Sequence, residues 1–166
     1  MARAALSLGS NLEPRREHLA LALARLSQPP FKLMGVSRLY ETDPVDVLEQ
    51  PRFLNLAAII ETQLGPLSLL HALQAIEAEA GKAIKVRRGP RTLDLDLLLY
   101  DGAAIVSPEL TLPHERMHQR AFVLKPLAEL APEWRHPVTG RSVAQLLAAL
   151  PEGGPAVDDL GPLEAR

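Results

Sequence analysis

The 166-residue chain contains no cysteine. Disulfides, thiolate metal sites and a cysteine nucleophile are therefore excluded together. Aromatic residues make up only 4% of it, with three Phe, two Tyr and one Trp, so an aromatic next to a polar candidate carries weight. No apolar run is long enough to span a bilayer, and the N-terminus has no signal-peptide pattern. The expectation is a cytoplasmic protein without a membrane partner. Charge of one sign is also missing: 18 basic residues stand against 20 acidic ones, a formal net charge of −2. Such a balance lacks the basic footprint of a nucleic-acid binder. What is present, 47% hydrophobic and 23% charged residues, is ordinary for a globular domain of this length.

Apolar periodicity divides the chain into alternating elements. Residues 3–8 read as a strand ending in Gly9-Ser10-Asn11. Pro14 suits the start of a helix in which Leu19, Ala22, Leu23 and Leu26 share a face, and Pro29-Pro30 stops it. Residues 31–40 read as a strand, 42–51 as a proline-bounded loop, and 53–62 as a central strand. Gly65-Pro66 opens a second helix, lined by Leu69, Leu73, Ile76 and Ala80, with Gly81 expected as its left-handed cap. A strand over 93–99, an Asp101-Gly102 hairpin turn with a return strand over 103–106, and a short helix over 114–120 follow. An apolar segment over 121–130 and a helix over 142–150 complete the domain.

The order β-α-β-β-α-β predicts an α+β fold with a ferredoxin-like core, an antiparallel sheet with helices packed on one face, and extra C-terminal helices. Residues 1–150 are expected to form one domain and 151–166 a flexible tail. Size and the lack of an apolar surface stripe point to a monomer.

Chemistry concentrates in Gly89-Pro90-Arg91-Thr92-Leu93-Asp94-Leu95-Asp96. On a strand Asp94 and Asp96 share one face, and Leu93, Leu95, Leu97 and Leu99 are expected on the other. The two aspartate Cα atoms lie about 6.6 Å apart at the strand rise, a spacing that lets both carboxylates lean toward a pair of Mg²⁺ ions. The same pattern also describes the solvated face of a half-buried sheet. Before it, Lys82, Lys85, Arg87, Arg88 and Arg91 place five cations in ten residues with no acid between them. That is either a solvated surface or a polyphosphate clamp. Asn55 interrupts an apolar strand beside Phe53, as a structural amide or as the reader of a flat polar ligand. His114 and Phe122 are candidates of the same two-sided kind.

These residues, together with Leu6-Ser7-Leu8-Gly9-Ser10-Asn11-Leu12, Tyr40-Glu41-Thr42, Gln50-Pro51-Arg52-Phe53-Leu54-Asn55, Ile76-Glu77, Leu112-Pro113-His114 and Arg120-Ala121-Phe122, resemble the 6-hydroxymethyl-7,8-dihydropterin pyrophosphokinase family over nearly the whole domain. The resemblance implies transfer of pyrophosphate from ATP to the pterin hydroxymethyl group, with AMP released, in folate biosynthesis. It implies that Asp94 and Asp96 hold two Mg²⁺, with Lys82 and Arg91 as further catalytic cations. Thr42, Pro44, Val45 and Asn55 are implied at the pterin, with Phe53 and Phe122 on its two faces. Glu77, Arg91, Leu97, Thr111, His114 and Arg120 are implied on the ATP side, and the loops 42–52 and 81–91 as lids. Ile84 and Arg88 depart from the family's usual arginine and tryptophan in the basic loop. Two rivals remain: another Mg²⁺-dependent phosphotransferase using Asp-x-Asp, and a non-catalytic nucleotide- or pterin-binding relative.

Overall fold

A computed structural model describes residues 1–44, 49–81 and 92–163. The elements in chain order are β1 Ala2–Ser10, α1 Arg15–Leu26, β2 Phe31–Val36, β3 Leu39–Thr42, β4 Phe53–Thr62, α2 Pro66–Ala80, β5 Asp94–Tyr100, β6 Ile105–Val106, β7 Thr111–Leu112, α3 Ala121–Leu130, α4 Val143–Ala148 and β8 Val157–Gly161. The main sheet is antiparallel, in the order β5-β1-β4-β3-β8, with β2 also pairing β4. This is the ferredoxin-like connectivity, with the expected strand over 31–40 divided in two. The division falls at buried Ser37, whose hydroxyl accepts from the Ala57 amide at 2.8 Å.

α1 and α2 form where apolar residues recur at helical spacing. Leu19, Ala22 and Leu26 on one, and Leu69, Leu73 and Ile76 on the other, pack with Leu6, Leu8, Leu56, Ile60, Leu95 and Leu97 of the sheet. Helices cover the other face as well, which corrects the expectation of one covered face. The apolar segment 121–130 is helix α3 despite Pro126, which forfeits one helical hydrogen bond. Its Val123, Leu124 and Leu127, with Val143 and Leu146 of α4, build a second core on Ala5, Ala57, Ile59, Leu98 and Leu99. Ser142 caps α4 in a reciprocal pair with Gln145.

Five further expectations are revised. Leu99 does not share a face with Leu93, Leu95 and Leu97: Ala5 pairs Leu99 while Leu6 pairs Leu97, so Leu98 is the extra residue of a bulge that reverses the alternation. The Asp101 turn forms, but Ile105–Val106 pairs Thr111–Leu112 rather than returning along β5. Arg3 of β1 exchanges hydrogen bonds with Asp101 and holds the turn there. Over 114–120 only Met117–Gln119 is helical, as a 3-10 turn. Residues Val157–Gly161 are not a frayed tail but an edge strand on β3. Gly81 is no left-handed cap either, with φ −172°; a Cβ there would come within 2.7 Å of the Thr92 side chain. Among the described residues no helix is long and apolar enough to cross a membrane.

Candidate active site

Cross-strand partners stand side by side on the same face of a sheet. Asp94 pairs Gly9, Gly9 pairs Asn55 and Asn55 pairs Tyr40, which makes one row over four strands. Asp96 pairs Ser7 and Ser7 pairs Ala57 in the row beneath it. Both aspartates are half-buried and lie on the face that α3 and α4 cover farther along. Two strand spacings separate Asp94 from Asn55, roughly 9.6 Å. A carboxylate pair and a buried amide, far apart in the chain, are thus brought to one short stretch of sheet surface.

The glycine between them is required by packing. A Cβ on Gly9 would meet the Asn55 Oδ1 at 2.7 Å and the Phe53 ring at 3.5 Å. Asn55 is 3% exposed, and its Nδ2 donates to the buried Thr42 Oγ1 at 2.5 Å. That bond leaves the amide one fixed orientation. Phe53 pairs Thr42 and is half-buried, and Pro44 beyond them is buried. A cavity of about 120 Å³ is lined by both Thr42 and Phe122. The Arg120 guanidinium lies 5.5 Å from the centre of the Phe122 ring, a cation–π contact. Thr42, Phe53, Asn55 and Phe122 therefore converge; Val45 lies outside the described residues.

Around the aspartates, Glu77 of α2 accepts from the Leu95 amide at 2.8 Å and so holds the main chain of edge strand β5 between the two carboxylates. The His114 amide donates to the Leu98 carbonyl at 2.9 Å, tying its segment to the same strand. Burial, then the neighbouring Arg120 charge, push the His114 pKa below the usual imidazole value, so the ring favours its neutral form. Thr111 is half-buried on β7, which packs against β5. Leu97 has its side chain in the core with α1 and α2, on the face opposite the aspartates. Lys82, Arg91 and the remaining cations of the basic loop lie outside the described residues.

Two oxygen-donor carboxylates suit a hard cation such as Mg²⁺, which is commonly held by one or two carboxylates plus substrate phosphates. No group of three or more acidic, His or Cys side chains among the described residues forms an all-protein cage. A site completed by phosphate oxygens fits that donor set.

Several residues beside the site have partners that a sequence read alone does not show. Asn11 is 1% exposed and donates to Gln50 Oε1 at 2.8 Å and to the Pro51 carbonyl at 3.0 Å, fixing the approach to β4. Arg15, Glu41, Arg52, Asp43 and Asp158 form a chain of ion pairs beside it. Gln50-Pro51-Arg52 is visible as a motif, but its partners are revealed only by folding.

Residues 5–132 match the model of the family described as 7,8-dihydro-6-hydroxymethylpterin-pyrophosphokinase. The chain belongs to that family. Among its pyrophosphokinase relatives, the 2-amino-4-hydroxy-6-hydroxymethyldihydropteridine pyrophosphokinase of Pseudomonas aeruginosa is 49% identical, over 92% of this chain and 94% of that one. The enzyme of the same name from Bacillus subtilis is 43% identical over 84% of each. A crystal structure of Plasmodium falciparum HPPK-DHPS matches 89% of this chain with a TM-score of 0.71 at 18% identity, a likeness of fold. This chain spans 43% of the length of that one.

Proposed function

We propose that this pyrophosphokinase-family protein transfers the β,γ-pyrophosphoryl group of ATP to the hydroxymethyl oxygen of 6-hydroxymethyl-7,8-dihydropterin. The carrying observation is the row Asp94–Gly9–Asn55, with Thr42 and Phe122 adjoining it, on one sheet face. The hydroxymethyl oxygen attacks the β-phosphorus in line. The new O–P bond forms, the hydroxyl proton is lost, and the bond from the β-phosphorus to the α,β-bridging oxygen breaks, so AMP leaves with that oxygen. Little covalent work falls to the protein, and positioning carries the reaction.

Asn55, held by Thr42, presents fixed polar edges to the pterin, while Phe53 and Phe122 pack on its faces. Asp94 and Asp96 hold Mg²⁺, two ions in this reading, which when bound neutralise and align the phosphates. Glu77 keeps the strand between those carboxylates in place. Neutral His114, Thr111, Arg120 and the main chain at Leu97 belong to the nucleotide side, and Lys82 and Arg91 add positive charge there. The reading includes a cytoplasmic monomer, since one chain supplies every residue named and both substrates are small and soluble.

The test is a product assay with ATP, Mg²⁺ and the dihydropterin that resolves AMP from ADP. AMP should appear only with pterin. It should fall by at least about 100-fold in Asp94→Ala and in Asp96→Ala, the scale of removing one charge-stabilising element. ADP as product would make the protein a simple kinase, and ATP binding without turnover would make it a non-catalytic relative.

A further inference from the structure

The family match ends at residue 132, yet the chain returns to the proposed pterin subsite at its last strand. Val157 pairs Thr42, and Thr42 pairs Phe53. Their side chains stand in one row on the face that carries Asn55. At the head of that strand the main chain and Asp43 bond each other twice: the Ala156 amide donates to Asp43 Oδ2 at 3.1 Å, and the Asp43 amide donates to the Ala156 carbonyl at 3.2 Å. Arg52, one residue before β4, bonds Asp43 at 3.0 Å and Asp158 at 2.8 Å. The cavity of about 120 Å³ is lined by Ala156 and Val157 together with Thr42 and Phe122.

We infer that residues 155–158 form the outer wall of the pterin subsite and position Thr42 against Phe122, so that the C-terminal strand determines how tightly the ring is held. This rests on the reading of that subsite given above. The physical basis is rigidity. β3 is only four residues long and ends at Thr42. Without β8 its outer main-chain groups would turn to water and Asp43 would lose its amide partner. The Thr42 hydroxyl fixes Asn55, so looseness at this corner passes directly to the amide that reads the ring.

The experiment is a fluorescence titration with 6-hydroxymethylpterin, in the presence of Mg²⁺ and a non-hydrolysable ATP analogue, alongside a separate titration of the analogue and a melting curve. Val157→Phe adds bulk on the face that carries Thr42, and a chain ending at residue 152 removes the wall. Val157→Phe should weaken pterin binding by about tenfold or more while analogue binding stays within about twofold. The shortened chain should shift the same way. A folded Val157→Phe protein with unchanged pterin affinity, or with both ligands weakened equally as general loosening would do, overturns the inference. If the shortened chain does not fold, the substitution decides alone. If the unaltered protein binds no pterin and forms no pterin-dependent AMP, the reading of the subsite itself falls and takes the wall with it.

Discussion

Gly9 has no side chain, and the amide oxygen of Asn55 occupies the space a Cβ there would need, at 2.7 Å. Asn55 cannot swing away freely, because its Nδ2 is bonded to Thr42 and both groups are buried. Leaving either polar group unpaired in that setting costs about 1–3 kcal/mol. Gly9→Ala should therefore displace the amide while sparing the strand, since alanine tolerates extended backbone. The expected outcome is a pterin affinity lower by about tenfold, with ATP-analogue binding little changed, read by titration of each ligand. An alanine variant with unaltered pterin affinity would show that Asn55 does not meet the ligand.

β5 illustrates how an element is aimed. Its apolar residues are buried in two different cores, because the bulge at Leu98 moves Leu99 to the opposite face from Leu97. The strand lies at the sheet edge, and the Leu95 amide is taken by Glu77 from α2. A carboxylate accepting a main-chain hydrogen bond there fixes the segment from which both aspartates project. Glu77→Ala should lower stability by about 1–2 kcal/mol, below the upper range for charged hydrogen bonds because the site is half-buried. It should lower AMP formation as well. Glu77→Gln, which keeps an acceptor oxygen, should recover most of the stability in a denaturant titration. Equal losses in the two variants would argue that charge, not the hydrogen bond, is what matters.

For the molecule as a whole, two titrating regimes follow from the packing. His136 is 4% exposed, and burial, with His118 edge-on to it at 5.7 Å between ring centres, pushes its pKa down. Its Nδ1 accepts from the Val138 and Thr139 amides, which a protonated ring cannot do. His114 is shifted the same way. Below about pH 6.5 the unfolded chain binds these protons more readily than the folded one, so the stability they contribute is present above that pH and lost as pH falls. Melting temperature should decline between about pH 7 and 5, and His136→Asn should flatten that decline. Glu13, Glu79 and Asp159 are shifted down instead, the first and third mainly by backbone amides at Arg15 and Gly161, the second by Arg25. Their contribution is lost only at lower pH, as they protonate, which separates the two effects. A melting temperature flat from pH 7 to 5 would count against the buried neutral histidines.

The amino-acid order by itself determined most elements and the shared face of the two aspartates. Apolar spacing sets the phase of α1, α2 and β4, and two aspartates at i and i+2 share a strand face whatever surrounds them. The oddness of Asn55 within an apolar strand was also visible, because a buried amide demands partners. Local pattern has no access to register or to what covers a face. The bulge at Leu98, the helical state of the segment around Pro126, the pairing of 105–106 with 111–112 and the docking of 157–161 on β3 each depend on residues distant in the chain. So does the contact that ties the site together: Gly9 and Asn55 are 46 positions apart, 55 less 9, and only the register of β1 on β4 makes them neighbours. Periodicity acts within an element, whereas the site is made of side chains from different elements, and only tertiary packing fixes where those meet.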